Sequence, residues 1–200
     1  MYMDLNLIIN RAKNMILTPV TEWEAVKQEA KPHKEVLMNY VLPFIILVGA
    51  CSFLGRLLFH LQFFGVGRSL LFAIIQMVTV LGVLYITVWV VNELATNFGS
   101  QKNFDAAFRL VAYSNTAFFV AASAAGLLAI SFLSALLSLC GLYSLYLMWT
   151  GFTPMMATPE DKKAGYVIIS LLVLIVAYFV IGAILGMIML GSAAGYAVVR

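Results

Sequence analysis

The sequence predicts an all-α fold: a polytopic transmembrane helix bundle of five spans, preceded by amphipathic, interfacial helices. Three observations predict it. Residues 36–55, 69–92, 110–159 and 164–199 carry no charged side chain, and each stretch reaches the ~20 apolar residues that cross a bilayer at 1.5 Å rise per residue. Of the 200 residues, 63% are hydrophobic and 10% charged, against about half and a quarter in a soluble domain. Lipid must therefore solvate part of this surface. Finally, the charges that do occur gather in residues 1–35 and in short connections, as loops and helix ends of a membrane protein require. The chain divides into an N-terminal cytoplasmic, interfacial part, 1–35, and a transmembrane domain, 36–200, with spans near 36–59, 69–92, 110–128, 131–150 and 166–190.

Each element has its own local reason. In residues 4–17, Leu5, Ile8, Ile9, Ala12 and Ile16 recur at helical spacing, with Asn6, Asn10, Arg11 and Lys13 opposite. That pattern is an amphipathic helix, lying either in the membrane interface or on the protein's own cytosolic face. A second helix starts at Thr18-Pro19, where a proline suits the first turn, and Thr21 with Glu24 fits a capping box. Trp23, in that turn, favours the membrane–water interface, and Lys31-Pro32 ends the helix. No signal peptide is expected, because residues 1–35 hold ten charges and no apolar core.

In the first span, Pro43 is a candidate kink and Arg56 can snorkel to headgroups from the far end. His60 and Gly65-Val66-Gly67-Arg68 connect it to the second span. Asn103 can cap a short helix whose Phe104, Ala107, Phe108 and Val111 share one face, with Lys102, Asp105 and Arg109 on the wet side. This is read as an interfacial elbow feeding the third span. The uncharged run 110–151 would be about 63 Å long as one helix, against ~30 Å of hydrocarbon, so it folds back near 126–134. Residues 151–163, with Thr-Pro twice, read as a surface loop.

Lysines and arginines set the orientation. With the N-terminus cytoplasmic, nine of them and all nine acidic residues lie inside, and Arg56, Arg68 and Arg200 lie outside. The C-terminus is then outside. A re-entrant hairpin at 110–150 would instead leave four spans and an inside C-terminus.

Chemistry is sparse. The net charge of +3 and the scattered basic residues do not suit nucleic acid. Cys51 and Cys140 sit in apolar runs as small buried hydrophobes, and no CxxC, HExxH, Gly-x-Ser-x-Gly or phosphate-loop motif occurs. His33 and His60 are isolated. No enzyme, metal or cofactor is expected. The polar residues at depth, Gln76, Thr79, Ser114, Asn115 and Thr116, are either interhelical hydrogen-bond partners or the lining of an intramembrane path. Ala121, Ala122, Ala125 and Gly126, and Gly182, Ala183 and Gly186, are small-residue faces for close helix packing.

Three strings carry a family resemblance. ILTPVTEW at 16–23, ELATNFGSQKNFDAAFRLVAYSNTAFF at 93–119, and LYSLYLMWTGF at 142–152 followed by TPEDKKAGY at 158–166 resemble bacterial members of the Ypt-interacting-protein (YIP) family. The resemblance implies five spans, a cytoplasmic N-terminus and a place in the bacterial inner membrane. It marks Pro19, Trp23, Gly99, Tyr113 and Asn115 as motif positions. Eukaryotic members carry Gly-Tyr-x-x-x-Pro where this chain has Ala112-Tyr113 and Ala117; those members are implicated in vesicle trafficking and in binding prenylated GTPases. For this chain the resemblance implies a non-enzymatic scaffold that organises the lipid bilayer or membrane-protein partners, itself included as a homo-oligomer. A small oligomeric transporter or channel is the alternative.

Overall fold

A computed structural model describes residues 5–128, 139 and 142–198. Among them the elements are helical and no strand occurs. Helix α1 (Leu5–Leu17) and helix α2 (Pro19–Glu29) form a hairpin on the bundle. Helices α3 (His33–Phe59) and α4 (Gly65–Phe98) are each long and apolar enough to cross a membrane. Helices α5 (Phe104–Ser114) and α6 (Thr116–Leu128) are two pieces bent by 41°. Helix α7 (Tyr143–Met156) is short, and α8 (Glu160–Val198) contains the last candidate span, Glu160–Ile184. Three helices thus pass the length and composition test for a span, or four if the bent pair counts as one. Half of the expected span 131–150 lies outside the described residues. The part that is described belongs to α7, whose 14 residues reach about 21 Å and cannot cross alone.

The first two spans are the halves of one helical stretch, Leu42–Leu94, that reverses at Gly65. There φ is +66°, a conformation open to glycine at little steric cost. Antiparallel contacts follow: the Ser52 hydroxyl donates to Gln76 Oε1 at 2.8 Å, and the Arg56 guanidinium sits 3.4 Å from the Phe72 ring centre. Pro43 does not break α3. A π turn at Leu37–Val41 precedes it, and the wider turn accommodates the missing proline N–H.

Several local expectations change. Pro19 does open α2, but the Thr18 side chain caps nothing; its hydroxyl donates back to Asn14 O at 3.2 Å. Asn103 caps α5 as expected, its side chain accepting from Ala106 N at 3.0 Å. Helix α5 has no wet side along most of its length, for Ala106 to Ser114 are all buried, Arg109 included. Nη1 of Arg109 donates to Lys31 O at 2.6 Å, so the backbone entering α3 replaces water as its partner. Residues 151–156 belong to α7 rather than to a loop, and Gly151, Phe152, Met155 and Met156 are buried. Pro154 lies in the last turn of that helix, which ends at Met156.

One hydrophobic core runs across the boundary at residue 35. It joins Met15, Trp23 and Val26 of the hairpin to Tyr40, Phe108 and Phe152 of the membrane domain. Of the two placements open to the N-terminal helices, the structure takes docking on the bundle. The inward face of α1 is Ile8, Ala12 and Met15, while Leu5, Ile9 and Leu17 are exposed. Away from this core, α8 presents Ile168, Leu172, Val176 and Phe179 outward, as a lipid-facing span does.

Candidate functional site

The docked hairpin leaves a cleft of ≈ 490 Å³ between α1, α2, the start of α3 and the end of α5. Arg11 organises its upper wall. Expected on the polar side of α1, Arg11 instead lies on the inward face, between Ile8 and Ala12, so its charge must be matched there. Nη1 donates to Glu22 Oε1 at 2.6 Å and Nη2 donates to Glu29. Burial pulls the Arg11 guanidinium down, but the hydrogen bond to Glu29 and the neighbouring charges of Glu29 and Glu22 outweigh it and raise it above its ordinary value. The side chain stays cationic at any physiological pH. Lys31 lies 3.5 Å from both Glu29 and Glu35, which extends the network along the rim.

The floor is aromatic. Tyr113 meets Tyr40 edge-on at 4.7 Å and Trp23 edge-on at 6.5 Å, and the Arg11 guanidinium sits 5.7 Å from the Tyr113 ring centre. Cation–π attraction of this kind contributes about 0.5–2 kcal/mol. The Tyr40 and Thr116 hydroxyls share a hydrogen bond of 2.7 Å, and Thr116 donates to Tyr113 O at 2.6 Å. Trp23 is fully buried, correcting its placement at the membrane–water interface. Its Nε1 donates to Leu147 O at 3.2 Å and to the Thr150 hydroxyl at 3.1 Å. The indole lies against Gly151, where a Cβ would stand 2.5 Å from the ring.

The motif positions therefore have different fates. Trp23 and Tyr113 meet at the cleft. Pro19 starts the helix that carries Trp23. Gly99, with φ +71°, closes the end of α4 in the left-handed region and packs beside Pro159. Asn115 sits at the bend, its Nδ2 donating to Val111 O at 2.8 Å. It also lines a small apolar cavity of ≈ 50 Å³ with Val83, Thr87 and Phe118.

Among the described residues, four of the five considered for a path hold a partner, and Ser114 does not. Gln76 accepts from Ser52, Thr79 donates to Ile75 O of its own helix at 2.8 Å, and Thr116 belongs to the cleft floor. The Ser114 hydroxyl is buried with no partner. Gly126 packs hard on α3, where a Cβ would fall 2.6 Å from the Ser52 hydroxyl, whereas Gly182 and Gly186 face open space.

Arg11, Glu22, Glu29 and Tyr40 were not legible as a group. An arginine at the helical phase of buried Ile8 and Ala12 was the available signal. His33 is not isolated: its backbone N–H and ring Nδ1 both lie on Asp105 Oδ1, at 2.8 and 2.6 Å. The side chain of His60 and all of Cys140 lie outside what the structure describes.

Apolar helices of spanning length, with amphipathic helices folded into the same core, define an integral membrane protein of the all-α class. The chain belongs to the Yip1 domain family, whose model matches residues 13–184. No curated protein and no solved structure matches it significantly.

Proposed function

We propose that this protein is a non-enzymatic scaffold of the bacterial inner membrane that organises lipids or membrane-protein partners, a second copy of itself included. The observation that supports this reading is the continuous core from the N-terminal hairpin into the spans. It holds a charge-rimmed aromatic cleft in fixed geometry. Such a preformed surface suits recognition more than turnover. The chain is multi-pass, with five spans, a cytoplasmic N-terminus and an outside C-terminus. The charge distribution supports that orientation, since the ion-paired end holds nearly all the lysines. In-membrane crosslinking of the full chain followed by gentle extraction tests the proposal. Defined oligomers or specific partners are the expected result. A lone monomer that also leaves the order of surrounding lipid unchanged overturns it.

The bend at Asn115 and the unpartnered Ser114 hydroxyl favour the second reading, a small transporter or channel. Solute flux into liposomes that disappears with Asn115→Leu would move the conclusion there.

A further inference from the structure

We infer that the cleft between the N-terminal hairpin and the bundle binds the ammonium–phosphate headgroup of an aminophospholipid such as phosphatidylethanolamine. The inference deepens the scaffold reading and rests on it for the identity of the lipid-organising surface.

Charge argues first. Three carboxylates, Glu22, Glu29 and Glu35, line the cleft beside two cations, Arg11 and Lys31. One negative charge is in excess. Arg11 is fully engaged by Glu22 and Glu29, so a bare anion has no free guanidinium to meet and would face net repulsion. A cationic group is attracted, and Glu35 on the rim carries the surplus. The floor argues the same way. Tyr40 and Tyr113 offer aromatic faces, and the Arg11 guanidinium already rests over Tyr113, which shows that a cation is accepted at that ring. The amide side chains of Asn10, Asn14 and Asn39 add neutral hydrogen-bonding partners along the wall. A phosphate on the same ligand would lie toward Lys31, the cation at the mouth whose two carboxylate contacts are long, at 3.5 Å each.

Position argues for a lipid. Tyr40 is seven residues into α3, about 10 Å along a helix, so the cleft opens beside the start of a segment of spanning length. The cleft wall includes Leu7, and Met38 adjoins Asn39. Both are exposed apolar side chains along which an acyl chain can leave. The volume, ≈ 490 Å³, lies within the ~300–1,000 Å³ of small-molecule sites.

The test is native mass spectrometry of the full chain in detergent, titrated with phosphatidylethanolamine or phosphatidylglycerol of matched acyl chains. The expected result is at least tenfold stronger retention of phosphatidylethanolamine. That preference falls tenfold in the double variant Glu29→Gln/Glu35→Gln while it remains folded, its thermal unfolding midpoint lowered only by the weakened Arg11–Glu29 contact. If the double variant unfolds, Glu35→Gln alone, at the exposed rim, gives the same direction of change. Soluble glycerophosphoethanolamine separates the sources: displacement by it assigns the site to the free headgroup compound, and survival of the lipid adduct assigns it to the bilayer. Both outcomes uphold the ammonium–phosphate chemistry. Equal retention of the two lipids, full retention by the variants, or displacement by a basic peptide overturns the inference. Crosslinked partners that persist without lipid preference would sink the headgroup site and leave the scaffold standing. Lipid preference without partners, oligomers or altered lipid order would do the reverse.

Discussion

The ion-paired end of the molecule and the far half of its spans both present large apolar side chains but pack them in opposite ways. At the ion-paired end Trp23, Phe108, Phe152 and Tyr166 are fully buried. Phe98 stacks on Tyr166 at 4.8 Å, and the Tyr166 hydroxyl donates to Val91 O. At the far end Leu58, Val66, Phe179 and Met187 are exposed. The best window of α8 is 17% buried, against 39% in α3 and in α4. The difference separates two uses of apolar surface. Where aromatic rings carry a polar handle, they satisfy it inside the chain and fix one geometry. Where the side chains are aliphatic, they supply a surface for lipid, and no unique internal partner is required.

The comparison is tested hardest at Trp23. Trp23→Ala removes a large buried ring and two hydrogen bonds, and the expected loss is about 3–5 kcal/mol. Phe179→Ala, at a residue 72% exposed, is expected to change stability by less than about 0.5 kcal/mol. Reversible unfolding of both variants in the same detergent reads the contrast. Equal losses would mean that the two regions share one packing regime.

Arg11→Met comes next. It leaves Glu22 and Glu29 facing the aromatic floor without their cation. Breaking a fully buried pair costs about 3–5 kcal/mol. The side chains here retain 15% and 11% accessibility, so water offsets part of that and about 1–3 kcal/mol is expected. A double-mutant cycle with Glu22→Gln should show coupling. If Arg11→Met is neutral and uncoupled, the charged rim does not help to hold the hairpin on the bundle.

What was legible in the sequence follows the same division. Long uncharged runs are a direct consequence of lipid solvation, so the membrane class and the first two spans could be read from composition and length. The reversal at Gly65 left its mark as two glycines and an arginine. The cleft left almost none. Its partners come from residues 11, 22, 29, 40 and 113, and no helical or strand period links them. Trp23 and Arg109 were misread for one reason: an amphipathic side chain outside the long apolar runs reads as interfacial until another part of the chain covers it. Here α7 covers the first and the Lys31 backbone meets the second. The fold-back expected near 126–134 lies mostly outside the described residues, and the bend that is described, at Asn115, falls in an uncharged stretch where period alone cannot place a break.

Gly151→Ala brings the argument to a single methyl group. A Cβ there would lie 2.5 Å from the Trp23 ring and 2.7 Å from Leu110. The indole is tethered at Leu147 and Thr150 and cannot retreat, so overpacking is expected to cost about 1–3 kcal/mol. A thermal midpoint lowered together with a shifted Trp fluorescence maximum is the check. An unshifted spectrum would show that Trp23 is looser than its hydrogen bonds imply.

The smallest effect carries the opposite sign. Gly182 lies inside α8 with no described residue within 4 Å of where a Cβ would stand. Alanine there meets no neighbour, and the gain is the helix propensity that glycine forfeits, about 0.5–1 kcal/mol. Gly182→Ala should therefore raise the unfolding midpoint slightly while Gly151→Ala lowers it. The same substitution thus reads out the two regions through one atom type. A destabilising Gly182→Ala would place a covering surface on the far half of α8. No described residue lies there, so dilution or a change of detergent separates a cover supplied by another molecule, whose loss they abolish, from one supplied by the chain itself. Persistence of the loss on dilution would mean instead that the far half of α8 packs as tightly as the end that holds Trp23.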